Sequence, residues 1–275
     1  MTLIASWVAM DDNKQGKLPS SLYFASDSRI TCLDNKHKIK WKNDDSQKIF
    51  ISSNFPEMFA LCGDYTNGSN LLKNIINDID SKRITLTDLT IEKKIDVLKN
   101  YFSINKKSIK CESVIFYGTK VQESFFHYKF ILSSSNITSN IVPLGNISQV
   151  LSKDGSGQND FNGEWLKFYN NSNSLNEAGT SRGAFRCIYE AINNIKDELV
   201  GGKMQAAVLY RGHNIPHPIG IYYDNDCYIF GKKETQFNKI VEYRNINFEI
   251  VDPDTGKIED GAQRQPFAKD KIYTH

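Results

Sequence analysis

An excess of charge of either sign is what this 275-residue chain most plainly lacks. Its 34 Lys and Arg stand against 32 Asp and Glu, a formal net charge of +2 at pH 7. Without a basic surplus there is no reason to expect a nucleic-acid-binding face. Long apolar runs are missing as well: no stretch of about 18 apolar residues occurs, so no membrane-spanning helix is expected. The opening MTLIASWVAM turns polar at DDNKQGK and has neither the basic start nor the longer apolar stretch of a secretory leader. Cysteine is sparse and dispersed. Cys32, Cys62, Cys111, Cys187 and Cys227 are odd in number, form no CxxC pair and keep no metal-ligand spacing with the five histidines. Reduced thiols in a soluble, cytoplasmic protein are the expectation, and nothing calls for a metal, nucleotide or organic cofactor.

What is present suffices for folding. Hydrophobic residues make up 40% and aromatics 12% of the chain, enough for a core that needs no disulfides and too much for disorder. The length suits one large domain or two small ones at about 100–200 residues each. Leu3 to Ala9, Leu22 to Ser26, Lys48 to Ser52 and Met58 to Leu61 read as strands, with DDNKQGKLPSS as a loop between the first two. Asn70 to Ile79 reads as a helix. A second helix, capped by Thr90, carries Ile91, Ile95, Leu98 and Phe102 on one face, with Lys93 and Lys94 on the solvated side. Strands follow at Ser113 to Tyr117 and Phe125 to Leu132. Next comes a helix bearing Phe185, Ile188, Ile192, Ile195 and Leu199 that is expected to end at Gly201-Gly202. Met204 to Tyr210, Gly220 to Tyr223 and Cys227 to Phe230 close the pattern. Two packed sheets with helices outside fit this order. It divides the chain into a domain over residues 1–231 and an extension over 232–275 with no recognisable pattern.

Chemistry concentrates near the start. A small residue after the initiator permits removal of Met1, which would leave Thr2 with a free α-amine of unperturbed pKa ~8 beside its own hydroxyl. Such a residue holds both nucleophile and base, because the amine can take the hydroxyl proton directly or through a water. Downstream stand ASDSRIT (Ala25 to Thr31), QKIF with Lys48, ALCGD with Gly63 15 residues after Lys48, Gly155-Ser156-Gly157, and DELVGG with Asp197. In this order the segments resemble the proteasome β-subunit and HslV-type peptidase family of N-terminal-nucleophile hydrolases, over roughly residues 2 to 210.

The resemblance implies an α+β fold, a four-layer αββα sandwich with two antiparallel sheets between helical layers. It implies Thr2 as nucleophile, Asp27 orienting Lys48, and Lys48 favouring the deprotonated hydroxyl. The N–H of Gly63 would stabilise an oxyanion, with Ser156 and Asp197 near the amine. By position Ile30, Ser46 and Leu61 would line the substrate pocket, the two apolar walls favouring an apolar side chain before the cleaved bond. The implied partners are a peptide or protein substrate, further copies of the chain in a homo-oligomeric ring, and an ATP-driven unfoldase. Two features depart from the family: Val200 stands where serine is usual, and 25 residues separate Thr2 from Asp27, more than the family has. Beside the threonine peptidase stand two other functions, an inactive proteasome-like scaffold that binds partners and an amidase for small molecules, since fold alone does not fix substrate.

Overall fold

The computed structural model describes residues 2–13, 16–34, 36, 38–106, 111–170, 179–238 and 241–262. It is a mixed α/β structure of mainly antiparallel sheets and, among the described residues, four helices. The first sheet is built on a long hairpin of β1 (Ile4–Asn13) and β2 (Gly16–Ser26). β10 (Gln149–Asp154) joins β1; β11 (Gln205–Tyr210), β12 (His217–Tyr223), β13 (Asp226–Ile229) and β14 (Lys232–Glu234) continue from β2, and β15 (Glu242–Arg244) pairs in parallel with β12. The second sheet runs β5 (Ile49–Ile51), β6 (Glu57–Cys62), β7 (Ser113–Val121), β8 (Ser124–Leu132) and β9 (Ile137–Ile141), all antiparallel. β3 (Ile30–Leu33) and β4 (Ile39–Asn43) form a separate hairpin.

The strand sequences explain the packing. Alternate residues of a strand face opposite sides, so a strand buried on both sides reads as a continuous apolar run. In β2, Leu22 and Phe24 enter a core shared with Met58, Ala60 and Phe116 of the second sheet, while Tyr23 and Ala25 turn to the opposite side. There they meet α4 (Ser181–Asn194) and Phe161 of α3 (Gln158–Asn170). In β6, Phe59 and Leu61 face α1 (Tyr65–Asp80) and α2 (Ile91–Asn105). One apolar core thus lies between the large sheets, and another lies between each sheet and its own pair of helices.

Several expectations change. The segment DDNKQGKLPSS is not a loop throughout: Asp11 pairs with Leu18 and Asn13 with Gly16, so both strands extend toward residues 14 and 15, which lie outside the described residues. Pro19 is tolerated beside a register shift between Ala9 and Met10. The last helix stops at Asn194, before the expected Gly201-Gly202. Asn193 turns its side chain back onto the Tyr189 carbonyl, and Asp197 accepts from the N–H of Leu199; such local bonds compete with helix. Thr90 does stand at the N-cap of α2, without a side-chain capping bond. Lys94 is not solvated: it is buried and paired with Glu57 at 2.6 Å, because that face of α2 lies over β6 and β7. Residues 232–262 of the extension carry strands of the first sheet, and Phe248 packs on Phe185 and Trp7; residues 263–275 lie outside the described residues.

Candidate active site

Thr2 lies two residues before the start of β1, and Asp27 immediately follows β2. The hairpin register, Ile4 opposite Ser26, carries them to the same end of the sheet, where the N–H of Asp27 donates to the carbonyl of Leu3 at 3.2 Å. Lys48 comes from the other sheet, one residue before β5. Its Nζ donates to Thr2 Oγ1 at 2.7 Å and to Asp27 Oδ1 at 2.8 Å. All three side chains are withdrawn from water, with Thr2 3%, Asp27 0% and Lys48 1% exposed. Burial pushes the Lys48 ammonium below its ordinary pKa, and the Asp27 carboxylate opposes that shift.

The Asp27 carboxylate accepts four hydrogen bonds. Oδ1 takes the Leu3 N–H at 3.0 Å as well as Lys48, and Oδ2 takes the N–H groups of Gly201 at 3.1 Å and Arg29 at 3.2 Å. Gly201 is held there by Arg29, whose guanidinium clamps Asp44 bidentately at 2.6 and 2.8 Å and donates through Nη1 to the carbonyls of Glu198 and Val200. The chain returns to Thr2 at Gly155, in a positive-φ conformation of +102°; a Cβ there would stand 1.9 Å from the Thr2 carbonyl oxygen. The N–H of Gly157 donates to that oxygen at 3.3 Å. Cys62 borders the same space, its thiol pushed up to about 11 by burial, so it is a neutral wall at physiological pH. Gly63 also has positive φ, +115°, and a Cβ there would meet the Glu112 carbonyl at 2.6 Å; only glycine fits this crossing.

Thr2, Asp27 and Lys48 are therefore brought together, with Gly63 following the strand that ends beside them. Ser156 is exposed at the bend between β10 and α3, and the Asp197 carboxylate takes the Leu199 N–H; neither enters the bonds that join Thr2, Lys48 and Asp27. Ile30 is half-buried at the start of β3. Ser46 is buried, donating its N–H to the Ser28 carbonyl and accepting from Gln205 Nε2 at its own carbonyl. Leu61 is buried. The pleat turns its side chain into the core behind β6, against Gly68 of α1.

Arg29 and Gln205 are polar participants that the sequence reading does not single out. Arg29 lay within the ASDSRIT segment, and the one available signal for Gln205 was a lone amide in the apolar run MQAAVLY. His213, in the turn after β11, and His217, which opens β12, face each other at 2.8 Å.

No protein family in the comparison matches the chain, and no curated protein does. Among solved structures, Anbu (ancestral beta-subunit) from Yersinia bercovieri is similar over 78% of this chain and 86% of its own, with 11% sequence identity and a TM-score of 0.49. Among the described residues, no helix is long and apolar enough to cross a membrane.

Proposed function

We propose that this chain is an N-terminal-nucleophile hydrolase that cleaves peptide bonds with Thr2, after removal of Met1, in a four-layer αββα fold of the proteasome type. One observation carries the reading: a buried ammonium, Lys48, shared between the Thr2 hydroxyl at 2.7 Å and the Asp27 carboxylate at 2.8 Å. An ammonium in this position favours the alkoxide over the hydroxyl. The α-amine freed at Thr2 takes the hydroxyl proton, directly or through a water, and Oγ1 attacks the scissile carbonyl carbon. The Gly63 N–H faces the developing oxyanion. Collapse of the tetrahedral intermediate breaks the C–N bond, the proton passes to the leaving amine, and an ester remains on Thr2. Water then adds to the ester and releases the acid, restoring the hydroxyl. In this reading Ser156 and Asp197 attend the amine once Met1 has gone.

The test is turnover of an apolar fluorogenic peptide. Thr2→Ala is expected to fall to background and Lys48→Ala by roughly 100-fold or more, with circular dichroism unchanged. Undiminished hydrolysis by Thr2→Ala would overturn the mechanism. A second reading, an inactive scaffold of the same fold, draws on Val200, whose side chain is buried in the core where the family has a serine. No turnover by the wild-type chain, with Met1 retained, would favour it.

A further inference from the structure

Gln205 opens β11, opposite Ser26, with its side chain wholly buried. Its amide makes four hydrogen bonds, and all reach the two segments that carry Asp27 and Lys48. Oε1 accepts from the backbone N–H of Lys48 at 2.8 Å and of Ile49 at 3.2 Å. Nε2 donates to the carbonyls of Asp27 at 3.0 Å and Ser46 at 2.9 Å. The amide orientation is unambiguous, since a flip would oppose Oε1 to two carbonyls and Nε2 to two N–H groups. Asp27 follows the last residue of a strand of the first sheet, and Lys48 precedes the first residue of a strand of the second. The Asp27–Lys48 salt bridge, the Ser46 N–H on the Ser28 carbonyl and the Arg29–Asp44 pair join the same two segments, and Gln205 alone of these side chains bonds the backbone of both Asp27 and Lys48.

We infer that Gln205 is a positioning residue for the Thr2 site: its amide spans the two sheets and sets the separation of Asp27 and Lys48, so that the Lys48 ammonium meets the Thr2 hydroxyl. This rests on the hydrolase reading above for its catalytic consequence, and on the four bonds alone for its structural one. Gln205 touches no reacting atom. It acts by fixing the backbone on which Lys48 stands, and a displacement of that backbone by a fraction of an ångström to 1 Å is of the size that costs catalysis heavily. A glutamine is required because its side chain offers two donors and two acceptors at the length that reaches both segments. Asparagine is one methylene shorter, and leucine offers no hydrogen bonds.

The experiment compares the wild-type chain with Gln205→Asn and Gln205→Leu; the Asn variant decides if the Leu variant does not fold. Two quantities are read. The first is kcat and KM on the apolar fluorogenic peptide, where kcat is expected to fall roughly 10- to 100-fold with KM within about twofold. The second needs no activity: the amine proton signal of Lys48 in 15N-lysine-labelled protein at pH 6, assigned by its loss in Lys48→Arg. A buried ammonium held by Asp27 and Thr2 exchanges slowly with water, so the signal is expected in the wild type and is expected to vanish in the folded variants. A retained Lys48 signal together with kcat within twofold of wild type overturns the role of Gln205. Should the wild type hydrolyse nothing and Thr2→Ala change nothing, the hydrolase reading fails, and the ammonium signal alone still decides whether Gln205 positions Lys48.

Discussion

A lysine ammonium and an aspartate carboxylate removed from water each lose several kcal/mol of hydration, which only close pairing and further hydrogen bonds offset. Asp27 and Lys48 meet that condition: besides each other, the carboxylate has three backbone N–H donors and the ammonium has the Thr2 hydroxyl as acceptor. His127 is the contrasting buried titratable group. Its Nδ1 faces the Tyr117 carbonyl at 3.1 Å, so the proton sits there and Nε2 accepts from the Ser6 hydroxyl at 2.8 Å. Burial pushes its pKa down to about 4. Because the folded value lies below the unfolded one of 6.5, the neutral ring contributes stability that is fully present above pH 6.5. That contribution is lost as pH falls toward 4, by about 3 kcal/mol at most. Urea unfolding between pH 7 and pH 4 should show this slope, and His127→Gln should flatten it; an equal slope in both proteins would contradict the assignment. At this scale the sequence was readable where a residue carries its own chemistry. Thr2, Asp27 and Lys48 stand out as candidates for their hydroxyl, carboxylate and ammonium on segments of recognisable order, and the structure brings the three side chains together. Gln205 does not stand out, because an amide's role depends on which backbone groups the fold brings to it. The direction of Leu61 depends likewise on strand pairing, and the pleat turns its side chain into the core with α1 and α2.

Strands and helices were readable to the extent that their burial was uniform. The runs LYFAS, MFAL and SVIFY are apolar on both faces because each lies between two cores, and they appear as strands. The outer half of the first hairpin was missed because exposed, polar strand residues look like loop. The end of α4 was missed because Ile195 and Leu199 continue the apolar spacing after side-chain bonds from Asn193 and Asp197 have redirected the backbone. In α2 the error concerned charge. Lys94 reaches Glu57 and Thr119, and Tyr117 donates to the other oxygen of Glu57, so the helix is fastened to the sheet by a buried polar cluster. Removing one partner leaves the other charge buried and unpaired. Lys94→Met is therefore expected to destabilise the protein by about 3–5 kcal/mol in denaturant titrations. Exposed Lys93→Ala should stay within about 0.5 kcal/mol. Similar losses for both would show that the cluster does not fasten α2.

Across the whole molecule, one apolar cluster draws on strands of both large sheets, and Thr2, Asp27 and Lys48 lie where segments of both sheets meet. Residues beyond 231 belong to this arrangement as far as 262: β14 and β15 extend the first sheet, and Phe248 fills the core beneath α4 beside Trp7 and Tyr23. That contribution was unreadable in sequence because short, charged strands such as Lys232–Glu234 have no apolar period, and their pairing comes from neighbours already in place. The account's central claim is that residue 2, with its amine free, is a nucleophile paired with a buried ammonium. Intact-mass spectrometry of the purified protein, before and after treatment with an epoxyketone directed at N-terminal threonine, tests it most directly. The expected result is a chain lacking Met1 that gains the mass of one inhibitor at Thr2, with no gain in Thr2→Ala. A chain that keeps Met1, or that labels equally well with alanine at position 2, would contradict it.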